Sequence, residues 1–283
     1  MATTELEERR AGAEVAQGLD RVADMAPILR DLRELLARAG AVPIIREVSP
    51  AAQRAFSERT GFGPRGGEPV IVVGRAVALE LGHPDTESQA LALWTTESGL
   101  VENGRVTLLG PDLPAMPGGG RWPLGLIVCL ELDAAASPDP FRIEQSLRLA
   151  NRLPGFMVRS LPGRLWARVG ASELARGLSL LDVGEALVRA YNEDVPGVMA
   201  VEAVIVTHSA DAVRSLAPLA IQARVLSGRH KKLYLSPDGA LECEELDCEA
   251  CDERETCDSL RDILARRRES RLGGVSAQPG GRP

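Results

Sequence analysis

The spacing of apolar residues in the first part of the chain predicts helices. Between residues 4 and 39 these residues recur at the three- and four-residue intervals of an amphipathic helix. Pro27 interrupts the pattern and suits a first helical turn, so we predict two helices that break there, the second ending at Gly40. A short strand from Val42 should follow, and then a third helix capped by Ser49.

The pattern changes to that of strands from Val70 onward. Leucine-rich and β-branched runs of strand length are separated there by turn signals such as ENG and PGGG. The runs are VIVVGRAVALELG, ALALWTT, GRVTLLG and LGLIVCLELD. These runs predict that the middle of the chain forms a sheet.

Helices and strands alternate in the second half of the chain. A helix is predicted over residues 140–152, followed by the strand RLWARVG. Asp182 and Glu185, three residues apart, resemble a capping box that opens another helix. After the strand VMAVEAVIVTH, Ser209 should cap a helix that runs to about Leu226. The elements together predict an α+β fold in which a mixed sheet is flanked by helices.

Changes in composition divide the chain into four segments. We predict an N-terminal helical segment over residues 1–60, an α+β domain over 61–230, a small cysteine lobe over 231–266 and a disordered tail over 267–283. The glycine-rich stretch GFGPRGGEP marks the first boundary. In the lobe, KKLYLSPDGALEC should form a hairpin whose turn is Pro-Asp-Gly.

Composition and charge narrow the classes of function. The 283 residues carry a net charge of −7, which argues against a general nucleic-acid binder because such proteins need a basic surface. We find neither a secretory signal nor an apolar run long enough to span a membrane, so we expect a cytoplasmic protein. Clustered cysteines in a reducing compartment indicate metal or redox chemistry.

Four of the five cysteines fall within ECEELDCEACDERETC, residues 242–257. They are Cys243, Cys248, Cys251 and Cys257, so the central pair forms a C-x-x-C turn with one further cysteine on either side. Four thiolates packed this tightly suit a compact iron–sulfur cluster or a tetrahedral zinc site. We favour a 4Fe-4S cluster because zinc sites more often use two C-x-x-C pairs, and we keep zinc as the alternative.

The other candidate residues carry weaker signals. Eight carboxylates surround the cysteines, which would depress the potential of a redox cluster or simply keep an exposed lobe soluble. His83, His208 and His230 have no spacing typical of metal ligands, so we predict structural roles for them.

An ordered series of segments resembles a known family. The most telling is GRVTLLGPDLPAMPGGGRWPLGLIV, in which a strand ends in Gly-Pro-Asp and a proline-containing loop leads to a strand opened by Pro-Leu-Gly. RLWARVGASELARG and VEAVIVTHSADAV follow in the same order. Together they resemble the beta subunit of the carbon monoxide dehydrogenase/acetyl-CoA synthase complex, from about Gly61 to Cys257.

The resemblance implies a surface that receives coenzyme A through arginine and tryptophan side chains. The corresponding residues are Arg159, Arg164, Trp166 and Arg168, with Arg152 nearby. Three of them alternate along one predicted strand and therefore share a face, where guanidinium groups could bind phosphates. The same face could instead be solvated, with the indole packed between arginine stems.

The resemblance also implies that the cysteine run corresponds to the start of the family's metal cluster. Cys248 and Cys251 match its first C-x-x-C pair, and Cys257 lies close to the third ligand, whereas Cys243 has no counterpart and the nickel-binding Cys-Gly-Cys motif is absent. We therefore predict an iron–sulfur protein that serves as an accessory or electron-transfer component with a protein partner. The alternatives are a zinc-stabilised interaction module and a coenzyme A-binding acyltransferase component, related to CO-methylating acetyl-CoA synthase, that works with a partner's metal site.

Overall fold

The computed structural model describes residues 24–38, 40–63, 72–135, 140–161, 164–227, 233–235, 241–243 and 262. The chain divides into two compact units, Met1–Ser227 and Gly228–Pro283, and each is described by itself.

Seven α-helices lie in the described part of the first unit. They are α1 (Ala26–Arg38), α2 (Gln53–Thr60), α3 (Pro140–Gln145), α4 (Ala171–Ala175), α5 (Leu180–Asp194), α6 (Ala210–Arg214) and α7 (Ala217–Leu226). Short 3-10 helices precede α2 at Pro50–Ala52 and extend α3 at Ser146–Arg152.

The strands that the structure describes in the first unit are nine, and they form two sheets. The strands are β1 (Ile44–Glu47), β2 (Val77–Leu81), β3 (Ser88–Thr95), β4 (Arg105–Leu109), β5 (Arg121–Trp122), β6 (Leu124–Leu132), β7 (Phe156–Leu161), β8 (Arg164–Gly170) and β9 (Val198–Val206). The five-stranded sheet has the order β1-β4-β9-β6-β3, and the four-stranded sheet has the order β5-β2-β8-β7.

The five-stranded sheet is mixed and forms the centre of the core. Its β4–β9 and β6–β3 pairs are parallel, and its β1–β4 and β6–β9 pairs are antiparallel. Strand β6 (LGLIVCLEL) is buried along its length except at Glu131, as its nearly continuous apolar sequence requires. Helix α5 approaches β4 at Gly184, where an added Cβ would lie 2.3 Å from a Val106 methyl carbon. The core therefore depends on a close helix–sheet contact at this glycine.

The four-stranded sheet packs beside the first sheet. Strands β7 and β8 form an antiparallel hairpin, and β2 pairs with β8 on its other side. The Ser88 hydroxyl of β3 donates to the Leu165 carbonyl of β8 at 2.5 Å and accepts from the Leu165 amide at 2.9 Å. This reciprocal contact joins the two sheets through buried hydrogen bonds.

A buried ion pair joins α1 to the five-stranded sheet. Arg33 of α1 donates to both carboxylate oxygens of Glu202 in β9. Its Nη1 lies 2.7 Å from Oε1, and its Nη2 donates to Oε2. Glu202 also accepts the Glu102 amide at 3.1 Å. The glutamate side chain is 1% exposed, so its charge depends on these donors.

Helix α5 carries a second set of buried charges. Asp182 accepts from Arg46 at 2.6 Å and forms an ion pair with Arg59 at 2.9 Å. Glu185, one turn later, binds Arg189 at 2.7 Å. Each buried carboxylate therefore has a guanidinium partner, which offsets the cost of removing it from water.

The predicted α+β class with a mixed sheet is confirmed, and so are most predicted elements. Helix α1 begins beside Pro27 and ends before Gly40, which adopts φ +68°. Ser209 caps α6 by accepting the Ala212 amide, but the predicted single helix divides into α6 and α7. Ser49 precedes the 3-10 turn without a side-chain capping bond.

One prediction about the second half of the chain is wrong, and one strand there was missed. The capping box of α5 is formed by Ser179 and Asp182, so Asp182 is the third residue of the helix and Glu185 instead binds Arg189. The helix starts earlier because Leu180 and Leu181 belong to the buried core. Strand β7 was not predicted at all.

The second unit contains the predicted hairpin. Strands β10 (Leu233–Leu235) and β11 (Leu241–Cys243) pair antiparallel, with Leu235 opposite Leu241. The first predicted helix before Asp24, most of the cysteine run and the tail lie outside the described residues. None of the helices in the described ranges is both long and apolar enough to cross a membrane.

Candidate functional site

Arg159, Trp166 and Arg168 lie on one face of the four-stranded sheet. Arg159 of β7 is the register partner of Trp166 in β8, and Arg168 lies two residues beyond Trp166 on the same strand. The backbone of Arg164 pairs with Leu161 at the other end of β8, and its side chain lies outside the described residues. We call this surface the arginine–tryptophan face.

The guanidinium of Arg168 is held by two contacts. Its Nε donates to Glu80 Oε1 of β2 at 2.9 Å, and its Cζ lies 4.5 Å from the centroid of the Trp166 ring. Stacking on an indole and pairing with a carboxylate both restrict the side chain. The indole therefore packs on an arginine, as the second interpretation of the sequence expects, and the Arg168 side chain stays 24% exposed.

Residues that were not predicted as ligands complete the same face. The His83 ring meets Trp166 edge-on, with centroids 5.5 Å apart, and His83 Nδ1 accepts the Asp85 amide at 3.1 Å. Arg121 of β5 contacts Asp85 and lies 3.6 Å from Glu80. In the sequence, the one sign that β2 contributes to this face is the charged residue Glu80 within the apolar run VALEL.

The arginine–tryptophan face presents one exposed guanidinium beside an aromatic ring. Arg159 is exposed and has no ion-pair partner within the described ranges. Trp166 Nε1 and Trp122 Nε1 are buried and find no hydrogen-bond acceptor among the described residues. A free guanidinium, a restrained guanidinium and an indole ring are the groups that recognise phosphate and purine moieties.

Arg152 does not join this face. Its Nη2 donates to Asp194 at 2.5 Å, and its Nη1 lies 3.5 Å from Glu193. The side chain is 11% exposed, so the guanidinium is occupied inside the fold. The sequence analysis grouped Arg152 with the arginines of β8 because it gave no sign of the partners of Arg152 in α5.

The Gly-Pro-Asp motif after β4 is a structural joint. Gly110 adopts φ +123°, and an added Cβ would lie 2.3 Å from the His208 amide nitrogen. Asp112 accepts the Ser179 hydroxyl at 2.5 Å and the Leu180 amide at 2.6 Å, at the start of α5. The motif thus ties the end of β4 to α5 and to the end of β9.

Cys129 is not one of the predicted metal ligands, and its burial makes it unsuited to chemistry. It lies in β6, fully buried, opposite Glu202 in the register with β9. Burial, followed by the nearby Glu202 carboxylate, raises the pKa of the Cys129 thiol to about 12. The thiol is therefore protonated and unreactive at neutral pH.

The predicted metal ligands fall almost entirely outside the described residues. Cys243 is the last residue of β11, while Cys248, Cys251 and Cys257 are not described. Within the described ranges, no three His, Cys, Asp or Glu side chains come close enough to hold a metal ion. The four-cysteine site stays a prediction.

The part of the chain that carries the arginine–tryptophan face matches a known protein family. A family model described as CO dehydrogenase/acetyl-CoA synthase complex beta subunit matches residues 71–212, half of the chain. The chain belongs to this family. The match runs from β2 to α6, so it contains the arginine–tryptophan face and the Gly-Pro-Asp joint and stops before the four clustered cysteines.

Two archaeal members of the acetyl-CoA synthase beta subunit family are similar to this chain. The acetyl-CoA decarbonylase/synthase complex subunit beta of Archaeoglobus fulgidus is 28% identical over 131 residues, which are 46% of this chain and 25% of the relative. The subunit of the same name from Methanopyrus kandleri is 28% identical over 109 residues, 38% of this chain and 23% of the relative. The matched segments thus span about a quarter of the length of these curated relatives.

Proposed function

We propose that this chain is an iron–sulfur component, related to acetyl-CoA synthase beta subunits, with an accessory or electron-transfer role in a multi-subunit complex. One observation carries the proposal: a core of this family over residues 71–212 is followed in the same chain by the four clustered cysteines. The relatives are named as subunits of a complex, which supports a protein partner here.

The donor set fits an iron–sulfur cluster. Cys243, Cys248, Cys251 and Cys257 supply four thiolates, which is the complement that a 4Fe-4S cluster requires. Because all four positions are then occupied by protein, the cluster would exchange electrons or support structure rather than bind a substrate. Cys243 is the last residue of β11, so the proposed ligand run would begin directly at the end of this paired strand.

The test compares two cysteine variants of the full chain, purified without oxygen. We expect Cys251→Ser to lose bound iron and Cys129→Ala, which removes a thiol buried in β6, to retain it. Iron retained in full by Cys251→Ser would remove that residue from the ligand set. A colourless wild-type protein with zinc would support the zinc-stabilised interaction module instead.

A second candidate function is a coenzyme A-binding acyltransferase component that works with a partner's metal site. The observation in its favour is the arginine–tryptophan face, where Arg159 is exposed and Arg168 is fixed over Trp166. Coenzyme A carries both phosphates and a purine, which match guanidinium and indole groups.

Calorimetry with coenzyme A tests this candidate. Arg159→Ala should weaken binding about tenfold, since one charge-assisted contact is lost while the fold keeps its ion pairs. Arg214→Ala is the matched control, because that arginine is also exposed but lies in α6 and pairs with Glu87. Absence of binding by the wild-type protein, or an equal loss in both variants, would end this candidate.

A further inference from the structure

A cavity of about 600 Å³ lies between α1 and the α6–α7 pair. Its volume is within the range of small-molecule sites in proteins, about 300–1,000 Å³. The lining combines apolar side chains, such as Leu35 and Leu219, with polar side chains from both walls, such as Asp31 and His208. Apolar walls with a few polar groups are typical of sites that take a small organic molecule.

Two neighbouring parallel strands end beside this cavity. Strands β4 and β9 are in register at Leu109 and Val206, the last residue of each, and His208 in the cavity wall follows two residues after β9. The chain that leaves β4 turns to α5, where Asp112 accepts the Leu180 amide. The chain that leaves β9 instead turns directly into α6.

The two connections lead to opposite faces of the five-stranded sheet. Arg33 of α1 binds Glu202 of β9. The next residue of β9, Ala203, is the register partner of Val106, and Val106 contacts α5 at Gly184. Adjacent residues of a strand point to opposite faces, so α1 and α5 cover different sides. Ligands of open sheets commonly bind at the carboxyl ends of strands where connections part in this way.

The α1 wall of the cavity carries one unpaired carboxylate. Asp31, Leu35 and Arg38 share a face of α1 because they are four and three residues apart. Arg38 is occupied by Glu34, which accepts at 3.0 Å through its carboxylate and at 3.1 Å through its carbonyl. The exposed Asp31 carboxylate has no ion pair or hydrogen bond with any residue that the structure describes.

The opposite wall adds acceptors in fixed positions. The His208 amide donates to the Leu109 carbonyl at 3.1 Å, which holds the backbone, while the exposed imidazole has no partner within the described ranges. A neutral imidazole offers one nitrogen as an acceptor. The Ser215 hydroxyl donates to the Ala212 carbonyl at 2.7 Å, so its oxygen is left to accept.

We propose that this cavity binds a small organic cation, an amine with an apolar body. An ammonium group has three donors and a positive charge, which match the unpaired Asp31 carboxylate and the acceptors of the opposite wall. The apolar body packs between Leu35 and Leu219. An anion fits poorly, since the Arg38 guanidinium is already paired and Asp31 repels it.

Proton NMR of the histidine rings in the full chain tests the proposal. The chain has three histidines, so the His208 ring signal is assigned by its loss in His208→Gln. At neutral pH, 2-phenylethylamine should shift this signal saturably with a Kd of about 1–10 mM, the range usual for a ligand of its size. His83 lies outside the cavity lining, and its ring signal should not move.

Two probes of similar shape separate charge from apolar contact. The neutral 2-phenylethanol should bind about fivefold more weakly than the amine, because an exposed ion pair contributes up to about that factor. The anion phenylacetate should leave the His208 signal unchanged at the same concentrations.

Variants of Asp31 place the cation within the cavity. Asp31→Asn keeps the shape of the side chain and should weaken amine binding about fivefold. Asp31→Lys reverses the charge, so phenylacetate should then bind more tightly than the amine. Asp211→Asn is the matched control: it removes one exposed carboxylate from α6, outside the cavity lining, and should change the Kd less than about twofold.

The readout involves no metal, so it is independent of the proposed iron–sulfur cluster. Absence of a saturable His208 shift in the wild type, or equal binding of 2-phenylethylamine and phenylacetate, would overturn the proposal. An Asp31→Lys chain that still prefers the amine would also overturn it. Equal losses in Asp31→Asn and Asp211→Asn would show a general attraction of cations to an acidic chain and would exclude the site.

Discussion

Replacing Arg33 with methionine should strongly destabilise the first unit. The substitution leaves the Glu202 carboxylate, 1% exposed, with only the Glu102 amide as a donor among the described residues. Removing one partner of a buried ion pair costs about 3–5 kcal/mol. Arg33 is 36% exposed, so water can reach part of the site, and we expect a loss near the lower limit, about 3 kcal/mol.

Helix α1 provides its own control. Arg30, one turn before Arg33, pairs with Glu97 at 2.5 Å, but both side chains are about half exposed. Surface pairs of this kind contribute about 0–1 kcal/mol, so Arg30→Met should have little effect. The double variant Arg33→Met/Glu202→Leu removes both charges and should recover most of the stability.

Urea unfolding followed by tryptophan fluorescence measures these differences. All three tryptophans lie in the first unit, so the signal reports that unit. With an m-value of about 2 kcal/mol/M, Arg33→Met should lower the unfolding midpoint by roughly 1.5 M. Equal midpoints for Arg33→Met and Arg30→Met, or no recovery in the double variant, would refute the buried-pair reasoning.

Three further predictions follow from single residues. Gly110→Ala should lower the free energy of unfolding by about 3 kcal/mol or more, because the added Cβ would meet the His208 backbone. Gly99 also has a positive φ, +84°, but nothing lies within 4 Å of an added Cβ, so Gly99→Ala should cost only about 1 kcal/mol. Asp112→Ala should cost about 2 kcal/mol by removing the acceptor at the start of α5, and an unchanged melting temperature would contradict that role. Cys129 should resist iodoacetamide at pH 8 until the protein unfolds, since its pKa is raised to about 12, and rapid labelling of the Cys129 peptide from the native protein, read by mass spectrometry, would show otherwise.

Apolar runs and capping residues in the sequence predict most of the helices and strands. Strands β6 and β9 are nearly continuous apolar runs, and both were predicted close to their observed bounds. Strand β7 was missed because Arg159 interrupts its short apolar run. The start of α5 was misplaced because Ser179 and Asp182 both fit the first position of a capping box, and only the burial of Leu180 decides between them.

The arginine–tryptophan face was only half predictable. Alternation along β8 puts Trp166 and Arg168 on one side, which the sequence alone indicates. Glu80 and Arg121 join them only through the pairing of β2 with β8 and with β5, contacts between segments far apart in the chain. Pairing between distant segments leaves no periodic pattern in the sequence of either strand, so it could not be predicted.

The measurement that tests the central claim most directly is the metal content and absorbance of the full chain, isolated without oxygen. Four clustered thiolates after a beta-subunit core predict about four irons per chain and broad charge-transfer absorbance that bleaches on reduction. A colourless protein that carries a single zinc ion, or no metal, would contradict the claim.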